Sequence, residues 1–237
     1  LFDKLQQDEK CTSSIDAGQF VLPSYTPLGM AALLPHTSIQ YTDDYKVMVN
    51  ELPCSTTDHR QNILAKIRPN SKCVQFDDIK SMKKEDLRNI FTGMDVVYVY
   101  HNQIDARGDA ARTENEVFNA CEEAINEIHS FMRRVASVAN TYHFIVTADH
   151  GFIYKRDKIA PNDKISLVNM SDSAGQRYAI GDYALSTEGV CSIPLSKVLS
   201  NNDTRVVSFP LGSDIFKVAG AGQNYVHGGS SPQEMIV

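Results

Sequence analysis

Apolar and polar positions along the chain follow two periods, and the switches between them outline the elements. Over about 112–140, Val117, Cys121, Ala124, Ile125, Ile128, Phe131, Met132, Val135 and Val138 recur at steps of three and four. That spacing lays one apolar stripe along a cylinder and predicts a long amphipathic helix. Asp95-Val96-Val97-Tyr98-Val99-Tyr100 is instead a short β-branched and aromatic run between Gly93 and a polar loop, which predicts a strand. Phe144-Ile145-Val146-Thr147 and Phe20-Val21-Leu22 predict two more. The nearly continuous apolar character of 96–99 and 144–146 predicts central strands buried on both faces. Shorter strands are expected at 46–49 and 73–76, with a helix over about 60–67 between them. Thr26 before Pro27 predicts an N-cap and a proline at the first helical position, opening a helix that Pro35 ends. Leu1-Phe2-Asp3-Lys4-Leu5-Gln6-Gln7 reads as the middle of an amphipathic helix, and Gln233-Glu234-Met235-Ile236-Val237 as the start of a strand.

This alternation predicts an α/β fold: three layers, a mostly parallel sheet and helices on both faces. From 152 to 224 the pattern dissolves into short strands and turns rich in Gly, Asn, Asp and Ser, expected as a small antiparallel, loop-rich excursion within a single domain spanning 1–237.

Composition narrows the function classes. The chain has 237 residues, 42% apolar and 22% charged, which excludes collagen, coiled coil and a disordered tail. No apolar run approaches the ~20 residues that span a bilayer, so no membrane role is expected. The 23 basic residues against 29 acidic ones argue against a domain held to nucleic acid by bulk positive charge. Cys11, Cys54, Cys73, Cys121 and Cys191 are odd in number, widely spaced and contain no C-x-x-C pair, which points to the reducing cytoplasm rather than a disulfide framework. A serine hydrolase is disfavoured for want of a G-x-S-x-G elbow, and Gly220-Ala221-Gly222-Gln223-Asn224-Tyr225 fails the third glycine of a dinucleotide loop.

Chemistry collects at the expected strand ends, where open α/β sheets bind their ligands. Asp105 and Asp109 follow the 95–100 strand; Asp149 and His150 follow 144–147; Thr26 follows 20–22; His227 sits in Tyr225-Val226-His227-Gly228-Gly229. Taken singly, each has a structural explanation: a cap, a turn, a solvated loop. His36, His59, His129 and His143 lack partners at ligand spacing. Three carboxylates and two histidines on one rim repel unless cations lie among them, and mixed Asp/His donors suit Zn²⁺ or Mn²⁺ better than Ca²⁺. A hydroxyl at a helix N-terminus favours an alkoxide or a bound phosphate.

The stretches Leu22-Pro23-Ser24-Tyr25-Thr26-Pro27-Leu28-Gly29-Met30, Tyr100-His101-Asn102-Gln103-Ile104-Asp105-Ala106-Arg107-Gly108-Asp109, Thr147-Ala148-Asp149-His150-Gly151-Phe152 and Tyr225-Val226-His227-Gly228-Gly229 resemble the signature stretches of PglZ-domain proteins. These are bacterial phage-defence components of the BREX and Pgl systems, in the alkaline phosphatase superfamily. The resemblance implies a phosphatase or phosphodiesterase with two divalent metals, Zn or Mn, with Mg also compatible. Thr26 would be the nucleophile. Asp149 and His150 would hold the metal nearest it, and Asp105, Asp109 and His227 the second. Asp109 stands where many superfamily members have histidine, which leans the site toward harder cations. Arg107 and Arg112 are the expected contacts to a phosphate-bearing substrate, possible classes being nucleic acid, a nucleotide or a phosphoprotein. Nothing before Thr26 offers the strand-terminal aspartate that the superfamily uses beside its nucleophile, so an incomplete site with weak metal binding is expected of this stretch of chain. Other defence proteins are the implied partners, and a scaffold domain of low or no activity is the rival reading.

Overall fold

The computed structural model describes residues 1–157, 160, 164–167, 173–218 and 224–237. The Gly220–Gln223 glycine-rich stretch and parts of the 152–224 excursion lie outside them. A short helix α1 (Phe2–Gln6) leads through a stretch without helix or strand to α2 (Thr26–Ala32). A meander follows: β1 (Ile39–Tyr41), β2 (Val47–Val49) and β3 (Leu52–Pro53), each antiparallel to the next. Then come α3 (Thr57–Ile67), β4 (Ser71–Gln75), α4 (Phe76–Ile79), α5 (Lys84–Phe91) and β5 (Val96–Tyr100), with β4 and β5 paired in parallel. Helix α6 (Gln103–Gly108) and a 3-10 turn (Glu114–Glu116) lead into α7 (Val117–Ala139), which ends at Asn140 in the left-handed conformation.

Beyond α7 the described strands pair antiparallel, and a single Ile165–Phe216 bridge is parallel. Strand β6 (Ile153–Tyr154) pairs with β11 (Tyr225–Val226). Strands β7 (Ser173–Ala174), β8 (Ala179–Gly181), β9 (Val190–Pro194) and β10 (Val206–Pro210) form a sheet of order β7-β8-β10-β9, with α8 (Leu195–Leu199) after β9 and α9 (Pro232–Met235) near the end. The fold is therefore mixed α/β with several small sheets. One apolar cluster joins α2, the meander, β8, β10 and α8 through Leu28, Ala31, Val49, Ile180, Leu195, Val207 and Phe209. A second lies between α4, α5 and α7 at Ile79, Leu87, Val135 and Val138. No described helix is long and apolar enough to cross a membrane.

Several expectations change. Among the described residues the one parallel strand pair is β4 with β5, a single Ile165–Phe216 bridge being the other parallel contact, and the strands lie in several small sheets. The 144–147 stretch is in no helix or strand and pairs with no described strand, and Ile145 is 95% exposed. Its β-branched residues fit a pleated, half-buried surface, but that preference yields a strand only where a neighbour supplies hydrogen bonds. Phe144 instead packs on the α4–α5–α7 cluster. Residues 20–22 likewise form no ladder: only Gln19 bridges Ile236, antiparallel. The expected terminal strand is α9, opened by a Ser231/Glu234 capping box with Pro232 in its first turn. The 46–49 strand is present as β2, but in the antiparallel meander.

Two features tie these pieces together where the strand-end residues gather. Gly29 in α2 lies against the backbone of Asp149: a Cβ there would come within 2.2 Å of the Asp149 carbonyl oxygen. Arg177 and Glu234 form an ion pair with both side chains fully buried. The Glu234 carboxylate also accepts from the Gly229 amide at 2.9 Å and the Ser231 hydroxyl at 2.7 Å. Gly29→Ala should cost about 1–3 kcal/mol in a thermal or urea unfolding assay, whereas Gly18→Ala, whose Cβ would meet only the Val237 carbonyl at 3.9 Å, stays within about 0.5 kcal/mol. Glu234→Leu should cost about 3–5 kcal/mol by leaving a buried guanidinium unpaired, and the double substitution Arg177→Met/Glu234→Leu should recover part of that loss.

Candidate active site

Thr26 is the first residue of α2, and the extended Tyr25 is the N-cap. Thr26 was expected as the cap. It lies one position further in, and its hydroxyl makes no capping bond but reaches Nε2 of His150 at 3.1 Å. His150 is buried, and its Nδ1 stands 3.0 Å from the Gly151 carbonyl oxygen. A carbonyl can only accept, so Nδ1 carries hydrogen and Nε2 is the atom turned to the site. Around Nε2 stand Thr26 Oγ1 at 3.1 Å, Asp105 Oδ2 at 3.4 Å and Asp149 Oδ2 at 3.7 Å.

One ligand atom from each of Asp105, Asp149 and His150 lies within 4.8 Å of the others. Asp149 Oδ2 is buried and has no hydrogen-bond partner. A buried carboxylate oxygen left in that state is costly unless a cation or proton meets it. The donor set of two carboxylate oxygens and one imidazole nitrogen, with an orphaned oxygen among them, fits a divalent metal ion.

His227 adjoins this group. Its ring stacks on that of His150 at 4.2 Å and 7°, and its Nε2 is 3.3 Å from Asp109 Oδ1. The buried Nδ1 of His227 has no partner, whereas the Asp109 side chain is 59% exposed. Thr26, Asp105, Asp149, His150, His227 and Asp109 thus come together as two adjoining groups. The grouping differs from the expected one in a single respect: Asp105 faces His150 rather than Asp109. The two arginines stand outside. Arg107 is engaged by Glu123, and Arg112 is exposed, with no hydrogen bond or ion pair to the described residues.

Charges set the protonation states. Burial pulls His150 toward neutrality, but its hydrogen bond to Asp105 and the charges of Asp149 and Asp105 outweigh this and raise it to about 9. Burial, helped by the Asp105 charge, pushes Asp149 up despite the imidazole beside it. Burial also works to raise Asp105, yet its bonds with His150 and Tyr225 hold it below the ordinary range. Without metal, the imidazolium is the counter-charge of the carboxylates.

Four contributors carried no sign of a role in their residue types. Tyr225 donates its hydroxyl to Asp105 Oδ1. Buried Ser24 donates to the Gly229 carbonyl at 2.7 Å, tying the Thr26 loop to the His227 loop. The Gly151 amide donates to the Glu234 carbonyl at 2.8 Å, and Glu234 is held by Arg177. For Tyr225 a signal existed: it lies two residues before His227, and alternate residues of an extended segment share a face.

A family model described as the BREX system PglZ alkaline phosphatase-like domain matches residues 1–237. The chain belongs to the PglZ family. It is 40% identical over 238 residues to the alkaline phosphatase-like protein PglZ of Bacillus cereus (strain H3081.97), covering 100% of this chain and 28% of that protein. It is 30% identical over 242 residues to the alkaline phosphatase-like protein BrxZ of Escherichia coli O9:H4 (strain HS), again covering 100% of this chain and 28% of that protein. The chain therefore spans little more than a quarter of these PglZ-family relatives. Among solved structures, murine ectonucleotide pyrophosphatase/phosphodiesterase 5 superposes with a TM-score of 0.55 at 9% identity, over 92% of this chain and 76% of that one. That likeness is one of fold.

The His150 environment has a consequence for metal-free protein. Its folded pKa of about 9 stands above the unfolded value of about 6.5. The resulting stabilisation is fully present below pH 6.5 and is lost as pH rises through about 9. Facing this imidazole are Asp105, Asp149, Thr26 and the His227 ring. In chelator-treated protein, unfolding free energy should fall by up to about 1.4 kcal/mol per pH unit across that window, and His150→Gln should flatten the fall. Denaturant titrations from pH 6 to 9.5 test both.

Proposed function

We propose that this chain is the catalytic domain of a metal-dependent phosphohydrolase, cleaving a phosphomonoester or phosphodiester in the cytoplasm as part of a BREX-type defence system. The observation that carries this reading is the convergence of the Thr26 hydroxyl, His150 Nε2 and two carboxylates on one point, with Asp149 Oδ2 unpartnered there. Asp105, Asp149 and His150 would hold one divalent cation, and His227 with Asp109 a second. Zn²⁺ or Mn²⁺ suits these donors, and the carboxylates also admit Mg²⁺. Bound there, such ions supply Lewis-acid polarisation of a phosphoryl oxygen and lower the pKa of a neighbouring hydroxyl.

The protein's own groups do the rest. Thr26 Oγ loses its proton and bonds to phosphorus while the bond from phosphorus to the leaving oxygen breaks, and that oxygen takes up a proton. Water then attacks the phosphothreonine, restoring the Thr26 hydroxyl and releasing phosphate or a phosphomonoester. The Gly151 carbonyl fixes the His150 tautomer and keeps Nε2 beside Oγ1. Of the two arginines expected to meet the substrate, Arg112 is exposed on the turn after α6 and Arg107 is engaged by Glu123, so Arg112 is the one proposed to contact it. A nucleic acid, a nucleotide or a phosphoprotein supplies the phosphoryl group, and other BREX components are the partners.

In the full-length protein supplied with Mn²⁺ or Zn²⁺, Thr26→Ala should lower turnover of an aryl phosphate or phosphodiester by roughly a thousandfold or more, with metal content unchanged. Asp149→Ala should remove metal and turnover together. A fully active Thr26→Ala protein would mean that water attacks directly. Wild-type protein that neither binds metal nor turns over either ester would leave the scaffold reading.

A further inference from the structure

Tyr225 is the first residue of β11 and is 3% exposed, yet its hydroxyl is spent on a single carboxylate, that of Asp105. The ring is held from three sides. Phe152 lies 4.7 Å away at a tilt of 35°, and the His227 ring meets it edge-on at 5.8 Å. The last residue of α6, Gly108, leaves no gap: a Cβ there would stand 2.6 Å from the ring. A phenylalanine would satisfy all of this packing. The hydroxyl is the part that packing does not explain.

Its effect falls on Asp105. That side chain stands on α6, a helix of six residues, and nothing else among the described residues hydrogen-bonds its Oδ1. With Oδ1 taken by the phenol, the carboxylate plane is fixed and Oδ2 is directed at His150 Nε2, 3.4 Å away. We propose that Tyr225 is a positioning residue that fixes which oxygen Asp105 presents to the Asp149–His150 centre, and so sets the affinity of that centre for a divalent cation. This rests on the reading of Asp105, Asp149 and His150 as metal-holding groups. Hydrogen bonds to a ligating carboxylate orient it, and losing one typically weakens metal binding by about 10–100-fold.

The test is Tyr225→Phe in the full-length protein, titrated calorimetrically with Mn²⁺ beside wild type. The expected result is affinity lower by about 10–100-fold with an unfolding midpoint close to wild type. A role through Asp105 also requires that the substitution have little effect in an Asp105→Asn background, where the oriented anion is already lost. Crystals of the metal-free variant should show the Asp105 carboxylate turned away from His150. Wild-type affinity in Tyr225→Phe, or an equal loss in both backgrounds, overturns the proposal while leaving the metal centre intact. Wild-type protein that takes up no Mn²⁺ overturns the metal reading instead. In that case an unmoved Asp105 in the variant crystals would also show that the phenol does not position it.

Discussion

The loops that meet at the site hang on one buried ion pair. Arg177 and Glu234 are each fully buried, a costly arrangement unless the two charges are paired and hydrogen-bonded. Here they are. Glu234 accepts from Arg177 Nε and Nη2, from the Gly229 and Ser231 amides and from the Ser231 hydroxyl. Arg177 donates two further hydrogens, from Nη2 and Nη1, to the carbonyls of Gly212 and Asp214. The pair therefore fastens the 212–214 turn, the loop that follows His227 and the start of α9 to one point. The backbone carbonyl of Glu234 receives the Gly151 amide, and Gly229 receives Ser24. Thr26, His150 and His227 are each within two residues of a group bonded into this knot. Charge satisfaction in the interior thereby becomes geometry at the site.

That geometry creates an electrostatic problem at its centre. Two carboxylates stand within 4 Å of one imidazole nitrogen: burial pushes Asp149 up, while Asp105, which burial also works to raise, is held down by His150 and the Tyr225 hydroxyl. Such opposed shifts in neighbouring groups are the mark of a site whose charge is balanced locally. In the metal-free chain a proton on His150 provides the balance. The Gly151 carbonyl makes this possible by holding hydrogen on Nδ1, which leaves Nε2 alone to meet whatever positive charge the carboxylates face.

Local chemistry was the more legible part of the sequence, pairing the less. Helix α7 was evident because its stripe of apolar residues sits on a 3.6-residue period that no strand can mimic, and it stands at Val117–Ala139. β5 was evident from its residue types, but its partners were not: strand pairing depends on a neighbour distant in sequence. The 144–147 stretch shows the limit, since its valine and isoleucine are as β-prone as those of β5 and yet Ile145 lies open to solvent. Six candidate site residues were legible because Asp, His and Thr at loop ends carry chemistry in their residue types. Ser24, Arg177 and Glu234 were not, because nothing in a buried arginine in isolation says which carboxylate it will serve, and Tyr225 was marked only by its place two residues before His227.

The two halves of the cluster differ in how firmly they are built. Asp105, Asp149 and His150 are enclosed, and each is tied to backbone or to a neighbouring side chain. Asp109 is more than half exposed and meets His227 at 3.3 Å, and His227 carries an unpartnered buried Nδ1. Rigid donors favour one ligand geometry, while an exposed carboxylate on a turn adapts at little cost. His227 bridges the two conditions, its ring stacked on His150 while its Nε2 looks toward the exposed Asp109 carboxylate. An arrangement of this kind holds the Thr26 side of the site constant and concentrates adaptability at the exposed Asp109. Beneath it the Thr26 hydroxyl and the His150 imidazole are held 3.1 Å apart.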